Sequence, residues 1–299
     1  PNKVKALLLI LVAAGSIAAI GVAATPIAAV AAAGSLIMGM TAIGLGLAGA
    51  SCQDGRDQVF GKLDALNLSK RVLIANDAEA AYEINCPGDF GILVTVGTGV
   101  ICLSRNEEGQ TMRMAGKGHE EGDKGSGYWI GKQAIMNLAL NESSIVGDKH
   151  LEEIMTIFLQ SVSENNFKRA LENIQKTKES VRIIASLAVS IIKLAKTGNT
   201  VALSVVQEAT HAVANYIISL TDELNYSKKH IVLAGNGSVI RNDFFRDSLN
   251  DELRFQFPDI KWIFSSISPA YGAGILAARL YGIDLQIGDI LKGNVFAEA

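Results

Sequence analysis

At 299 residues, 49% of them hydrophobic, the chain is long enough to bury a sizeable core and to form two domains rather than one. A formal net charge of -3 without any Lys/Arg cluster argues against a nucleic-acid-binding surface. Three cysteines without C-x-x-C spacing (Cys52, Cys86, Cys102) and four scattered histidines (His119, His150, His211, His230) argue against a zinc site and suit reduced thiols in the cytoplasm.

From Ala6 to Gln53 no residue is charged, and alanine and glycine dominate. On hydropathy alone such a run nominates one or two membrane spans, or a signal peptide opening at Lys3, Lys5 and Leu7. Gly, Ser, Thr and Pro26 punctuate it, however, and alanine-rich segments insert less readily than leucine-rich ones. The expectation is therefore buried strands of an N-terminal lobe, at Leu7 to Val12 and within Ala42 to Ala50. A polar, helix-permissive stretch over 51–71 follows.

The apolar run Val72 to Ala75 breaks at Asn76-Asp77 and leads into the helix-forming Ala78-Glu79-Ala80-Ala81. Open α/β sheets place active-site carboxylates at such strand ends; Asp77 would equally serve as a plain helix N-cap. The segment GILVTVGTGVICLS predicts a buried hairpin turning at Gly97-Thr98-Gly99, either an ordinary turn or a source of backbone N–H groups and a hydroxyl for a phosphate. From Ala115 to Gly131, AGKGHEEGDKGSGYWIG crowds glycines around Asp123 and runs straight into a helix. Glycines permit positive φ and close backbone approach, and N–H groups opening a helix attract anions. A salt-bridged surface loop is the competing reading.

Ile130 to about Leu224 is helical by period, with apolar residues at i, i+3, i+4 and i+7 and a stop at Gly198-Asn199; these stripes read as core. His230 to Ala234 then reads as a short buried strand, Gly235-Asn236-Gly237-Ser238 as a turn, and Asn242 to Phe255 as an amphipathic helix. Lys261 to Ser265 reads as a last strand, and Pro269 to Gly274 enters a final helix packed on the sheet. Strands alternating with helices make the fold class α/β with at least partly parallel sheets.

Taken in order and spacing, Asp77-Ala78-Glu79-Ala80-Ala81, Gly97-Thr98-Gly99-Val100, the Gly116 to Ile130 segment and IVLAGNGSVIRNDFF resemble the N-acetylglucosamine kinase and archaeal hexokinase branch of the actin, sugar kinase and Hsp70 ATPase superfamily, with its BadF/BadG-type ATPases. The likeness spans roughly residues 42 to 285. It implies a two-lobed ribonuclease H-like (actin-like ATPase) fold, with an N-terminal α/β lobe over 1–105. A C-terminal α/β lobe over 106–299 would carry a helical insertion at about 130–224.

The implied activity is ATP-dependent transfer of the γ-phosphate to a hydroxyl of N-acetylglucosamine or a related hexose, with ATP and Mg2+ as cofactors. Asp77 would be the catalytic base; Gly97, Thr98, Gly99 and Gly15 would hold phosphates. Asn76, Asp123, Gly116 and Gly118 would bind the sugar, and Gly235, Gly237, Ser238 and Asn242 the nucleotide. The implied partner is a small-molecule sugar in the cytoplasm, with neither nucleic acid nor membrane, and a homodimer is compatible with the resemblance.

Several positions depart from the pattern. Ala13 stands where the family carries the acid that orders magnesium, so no metal ligand is assigned. Thr25 replaces an asparagine, Val100 a serine, Lys117 a tryptophan and Lys124 a glutamate. Two other functions follow from these departures and from the superfamily: a catalytically impaired sugar-binding regulatory protein, and an ATPase that activates an acyl-CoA dehydratase. The scattered cysteines count against the second, since such activators hold an iron–sulfur cluster on cysteine ligands.

Overall fold

A computed structural model describes residues 9–10, 43–47, 53–65, 72–86, 91–106, 109–119, 123–225, 230–268, 270–280 and 282. Gly15, Ala13, Thr25 and Cys52 lie outside the described residues. In chain order the elements are β1 (Leu9–Ile10), β2 (Ile43–Leu47), α1 (Gln53–Asp64), β3 (Val72–Asn76), α2 (Asp77–Asn85), β4 (Ile92–Val96), β5 (Val100–Arg105), β6 (Thr111–Ala115) and α3 (Gly127–Leu140). There follow α4 (Lys149–Ser161), α5 (Phe167–Lys176), α6 (Ser180–Lys196), α7 (Thr200–Glu223), β7 (His230–Asn236), α8 (Asp243–Leu253), β8 (Asp259–Ile263) and α9 (Ala270–Leu280).

The chain divides into two units, Pro1–Phe90 with Ser265–Ala299, and Gly91–Phe264. In the first, β1, β2 and β3 form a parallel sheet in that order, with Gly44 opposite Leu73 and Leu47 opposite Asn76. Small residues let α9 lie directly on this sheet. A Cβ at Gly44 would stand 2.0 Å from the Ala273 carbonyl oxygen, and one at Gly272 would stand 1.8 Å from that of Ala80 on α2. This packing gives the glycine-rich IGLGL strand its reason. It also moves α9 out of the C-terminal lobe expected over 106–299, because the helix buries its small-residue face on β2 and α2. Arg279 of α9 bonds the buried Glu83 of α2 at 2.8 Å, a pairing that a buried carboxylate requires.

The second unit holds a five-stranded mixed sheet of order β6-β5-β4-β7-β8. β4 to β6 are antiparallel neighbours, whereas β4, β7 and β8 run parallel. The hairpin therefore opens this sheet, and the division falls at Phe90/Gly91 instead of at residue 105. β6 was not foreseen, although TMRMA alternates between more and less exposed residues as an outer strand does. The helical block α3–α7 supplies much of the core, with Ile130, Leu138, Ile154, Phe158, Ile191, Val206 and Ile217 almost wholly buried against Val94 and Val96 of the sheet. β8 ends at Ile263, slightly earlier than the strand read from sequence.

Candidate active site

In the first unit the site residues sit where β3 meets α2. Asn76, buried, is the N-cap: its Oδ1 accepts from the Ala78 N–H at 2.8 Å. Glu79 accepts from the Asn76 N–H at 2.7 Å, closing a capping box, and Arg56 bonds Glu79 at 3.4 Å. Asp77 is thus the first helical residue and not the cap; its carboxylate is exposed and takes a shared hydrogen bond from the Ala78 N–H at 3.0 Å. The carboxylate surface is open, yet the shell beyond it is protein. That partial desolvation, reinforced weakly by the Glu79 charge, raises the Asp77 pKa above its ordinary value of 3.8, against the opposing pull of the Ala78 N–H and the neighbouring Asp77 backbone.

In the second unit the turn between β4 and β5 is held from three sides. Val96 pairs with Val100, and the Gly97 N–H donates to the Gly99 carbonyl at 2.9 Å. The first N–H groups of α3 come to the turn: Gly127 donates to the Gly97 carbonyl at 2.7 Å and Tyr128 to the Thr98 carbonyl at 3.1 Å. The Gly97 and Thr98 carbonyls are thereby tied to α3. The N–H groups of Thr98 and Gly99 and the Thr98 hydroxyl have no hydrogen-bond partner among the described residues, and both residues are exposed. Exposed donors beside a helix N-terminus suit an anion.

The Gly237 turn is pressed on the same spot. With φ of +98°, its absent Cβ would fall 2.4 Å from the Val96 carbonyl oxygen, which accepts from the N–H groups of Val239 at 3.0 Å and Ile240 at 3.3 Å. Gly235 lies under the Phe264 ring, where a Cβ would stand 2.1 Å from the ring edge. Ser238 is exposed at the tip of the turn. Asn242 caps α8, its Oδ1 accepting from the Phe245 N–H at 3.2 Å, so this part of the side chain has a structural duty.

Asp123 is buried in the loop before α3, where its Oδ1 accepts from the Lys117 N–H at 2.9 Å. Its Oδ2 faces Gly99, at 3.4 Å from the position of a Cβ there. The loop leaves β6 through left-handed backbone at Ala115 (φ 61°), Gly116 (φ 73°) and Gly118 (φ 96°). For alanine this conformation is unfavourable. His119 packs edge-on to Tyr128 with centroids 5.1 Å apart, fixing the loop to α3.

Sequence reading absorbed Tyr216 into the apolar stripe of α7. In the structure burial and the Asp123 charge raise its pKa, with the backbone of Lys124 acting in the opposite direction. A phenol within an apolar stripe needs a polar partner, and that was the available signal. Gly97, Thr98, Gly99, Gly237 and Asp123 are thus neighbours within the second unit, whereas Asn76 and Asp77 belong to the first.

Cys86 and Cys102 are free and buried, and burial pushes the Cys102 thiol up to about 12, far from a reactive thiolate. Among the described residues no group of three or more His, Cys, Asp or Glu side chains is placed to hold a metal ion. Magnesium needs less, since phosphates and waters complete its shell. None of the described helices is long and apolar enough to cross a membrane.

The two sheets with their helices make an α/β protein whose fold is shared with solved sugar kinases. One such structure, from Chromobacterium violaceum and described as a candidate N-acetylglucosamine kinase, aligns with a TM-score of 0.62 at 21% identity, covering 79% of this chain and 75% of that one. A ROK hexokinase from Thermus thermophilus aligns with a TM-score of 0.53 at 17% identity, covering 86% of each chain. The sequence matches the BadF/BadG/BcrA/BcrD ATPase family over residues 26–277, and the chain belongs to that family. It is 32% identical over 238 residues to an N-acetylmuramic acid/N-acetylglucosamine kinase of Clostridium acetobutylicum, covering 79% of this chain and 76% of the relative. An N-acetyl-D-glucosamine kinase of Dictyostelium discoideum is 26% identical over 79% of this chain and 75% of its own length.

Proposed function

We propose that the chain is an ATP-dependent sugar kinase that phosphorylates a hydroxyl of N-acetylglucosamine or a related amino sugar. The observation that carries this is the Gly97-Thr98-Gly99 turn, whose Gly97 and Thr98 carbonyls are tied to α3 while the N–H groups of Thr98 and Gly99 stay exposed, in a chain of a family with kinase relatives. In this reading Asp77 takes the proton of the attacking hydroxyl while the new O–P bond forms, the bond to the β,γ-bridging oxygen breaks and ADP leaves. Thr98 and Gly99 donate to the transferred phosphoryl oxygens, a contribution that grows with the charge spread over them. Asp123, with Gly116 and Gly118, takes hydrogen bonds from sugar hydroxyls, and Asn76 orients Asp77. Gly235, Gly237, Ser238 and Asn242 line the nucleotide. Magnesium, when bound with the nucleotide, would supply neutralisation of the phosphate charge.

The test is ADP release from Mg-ATP across a panel of hexoses and N-acetylhexosamines. Turnover that depends on an amino sugar supports the reading; absence of turnover with every sugar overturns it. Ala13, in place of the family's metal-ordering acid, favours one alternative, a regulatory sugar binder, which predicts sugar binding without turnover.

A further inference from the structure

The capping box at the head of α2 carries more than a cap requires. Glu79 accepts from the Asn76 N–H at 2.7 Å, and Arg56 of α1 reaches both oxygens of that carboxylate, at 3.4 and 3.5 Å. A capping box needs only an acceptor at this position, and the uncharged carbonyl of a glutamine serves as well. Glutamate adds a negative charge two residues from Asp77, and Arg56 is the one cation paired with it among the described residues. The two side chains are 33% and 28% exposed, so the pair contributes little to stability. A weak stabiliser set beside the proposed base calls for another duty.

We infer that Arg56 and Glu79 are positioning residues for phosphoryl transfer: the pair fixes the backbone that presents Asp77 and balances the charge beside it. The inference rests on the reading of Asp77 as the base. Its backbone part follows from the hydrogen bond to Asn76, which ends β3 and caps α2. β2 meets the same backbone with a glycine, since a Cβ at Gly46 would stand 3.9 Å from the Asp77 Cα. Its charge part follows from what surrounds α2. β2 and β3 carry no charged residue. α9 brings Tyr271 and Arg279, the latter bonded to Glu83 farther along α2. α1 brings Arg56, with Asp54, Asp57, Lys62 and Asp64 along the same helix. Of these charges, that of Glu79 is the one that raises the proton affinity of Asp77, and Arg56 is paired against it.

The experiment compares the full chain with Arg56→Gln, Arg56→Lys, Glu79→Gln and the double variant Arg56→Gln/Glu79→Gln. Two quantities are read: the pH profile of kcat/KM for the sugar turned over, and the carbon-13 NMR titration of the Asp77 carboxyl, assigned by its loss in Asp77→Asn. Arg56→Gln leaves the Glu79 charge unopposed, so Asp77 should hold its proton more tightly and the acidic limb should move to higher pH. Glu79→Gln keeps an acceptor for Asn76 and drops the charge, so the limb should move to lower pH. At a pH on the limb, and relative to its own plateau, each single variant should differ from the unaltered chain by about 2- to 5-fold, in opposite directions, the size of a partly exposed charge pair. The double variant and Arg56→Lys should follow the unaltered titration. Displacement of both single variants in one direction, displacement of neither, or a lysine variant as displaced as the glutamine one overturns the inference, because a purely structural contact has no sign. If the unaltered chain turns over sugar and the Asp77 titration ignores both substitutions, only this inference fails. If it turns over no sugar while the titration moves as expected, the kinase reading fails and the role in transfer falls with it.

Discussion

Replacing Gly237 by alanine should damage both the second unit and its proposed phosphate turn, and Gly118→Ala provides the control that separates the causes. Both glycines have φ near +100° (98° and 96°), so both substitutions carry the conformational penalty of about 1–2 kcal/mol for an L-residue in left-handed backbone. Only at Gly237 does the new Cβ collide, at 2.4 Å from the Val96 carbonyl oxygen and 3.1 Å from the Gly97 nitrogen, whereas at Gly118 nothing lies within 4 Å. Backbone on both sides makes relief costly, and forced overpacking adds about 1–3 kcal/mol. Gly237→Ala should therefore lose about 2–5 kcal/mol and Gly118→Ala about 1–2 kcal/mol, measured as shifts in urea denaturation midpoint at constant m-value. Because the displaced Val96 carbonyl also accepts from Val239 and Ile240, ADP affinity should fall in Gly237→Ala and hold in Gly118→Ala. Equal destabilisation of the two variants, or normal ADP affinity in Gly237→Ala, would refute the claim that this turn is a packed unit.

Asp77→Ala should lower kcat by at least about 100-fold while ADP affinity, measured by calorimetry, stays within about twofold; normal turnover would show that another group is the base. A base works deprotonated, and the Asp77 pKa is raised, so kcat/KM should decline as pH falls through a limb above 3.8, and Asp77→Glu should move that limb. Asn76→Ala removes the cap on Ala78 and should cost about 1 kcal/mol in thermal or chemical unfolding, with a larger proportional loss of kcat, because Asp77 then becomes the remaining acceptor for the Ala78 N–H. Tyr216→Phe deletes the hydroxyl that lies within the influence of the Asp123 charge and should raise KM for sugar with little change in KM for ATP; an unchanged sugar KM would remove Tyr216 from the support of Asp123.

The sequence made the punctuation of this fold legible and its packing much less so. Asn76-Asp77, Gly97-Thr98-Gly99 and Gly235 to Ser238 are short-range signals, each a strand meeting polar or glycine residues, and each falls at a strand end in the structure. The affiliation of α9 was not legible: Gly272 and Ala273 announce a close approach but not the partner, and Gly44 and Ala80 are far away in sequence. The same applies to β6, whose place beside β5 depends on register rather than on hydrophobicity. Lys117 departs from the family's tryptophan, yet it uses its backbone N–H in the loop, toward Asp123, a duty that any side chain except proline would permit.

Sequence alone left Asp77 divided between helix cap and base, and the opening of α2 gives the cap to Asn76. A helix start needs acceptors for its first N–H groups, and here two other side chains provide them. Asn76 accepts from Ala78, Glu79 reaches back to Asn76, and Arg56 steadies Glu79 from α1. Asp77 follows the cap, where a negative charge is still favoured by the helix dipole but is not needed to close the first turn. Its one shared bond to Ala78 is a weaker claim on the carboxylate than a true cap would make. The neighbouring capping box thus leaves an exposed carboxylate at a fixed helix origin, with a proton affinity shifted toward the range in which a base is effective.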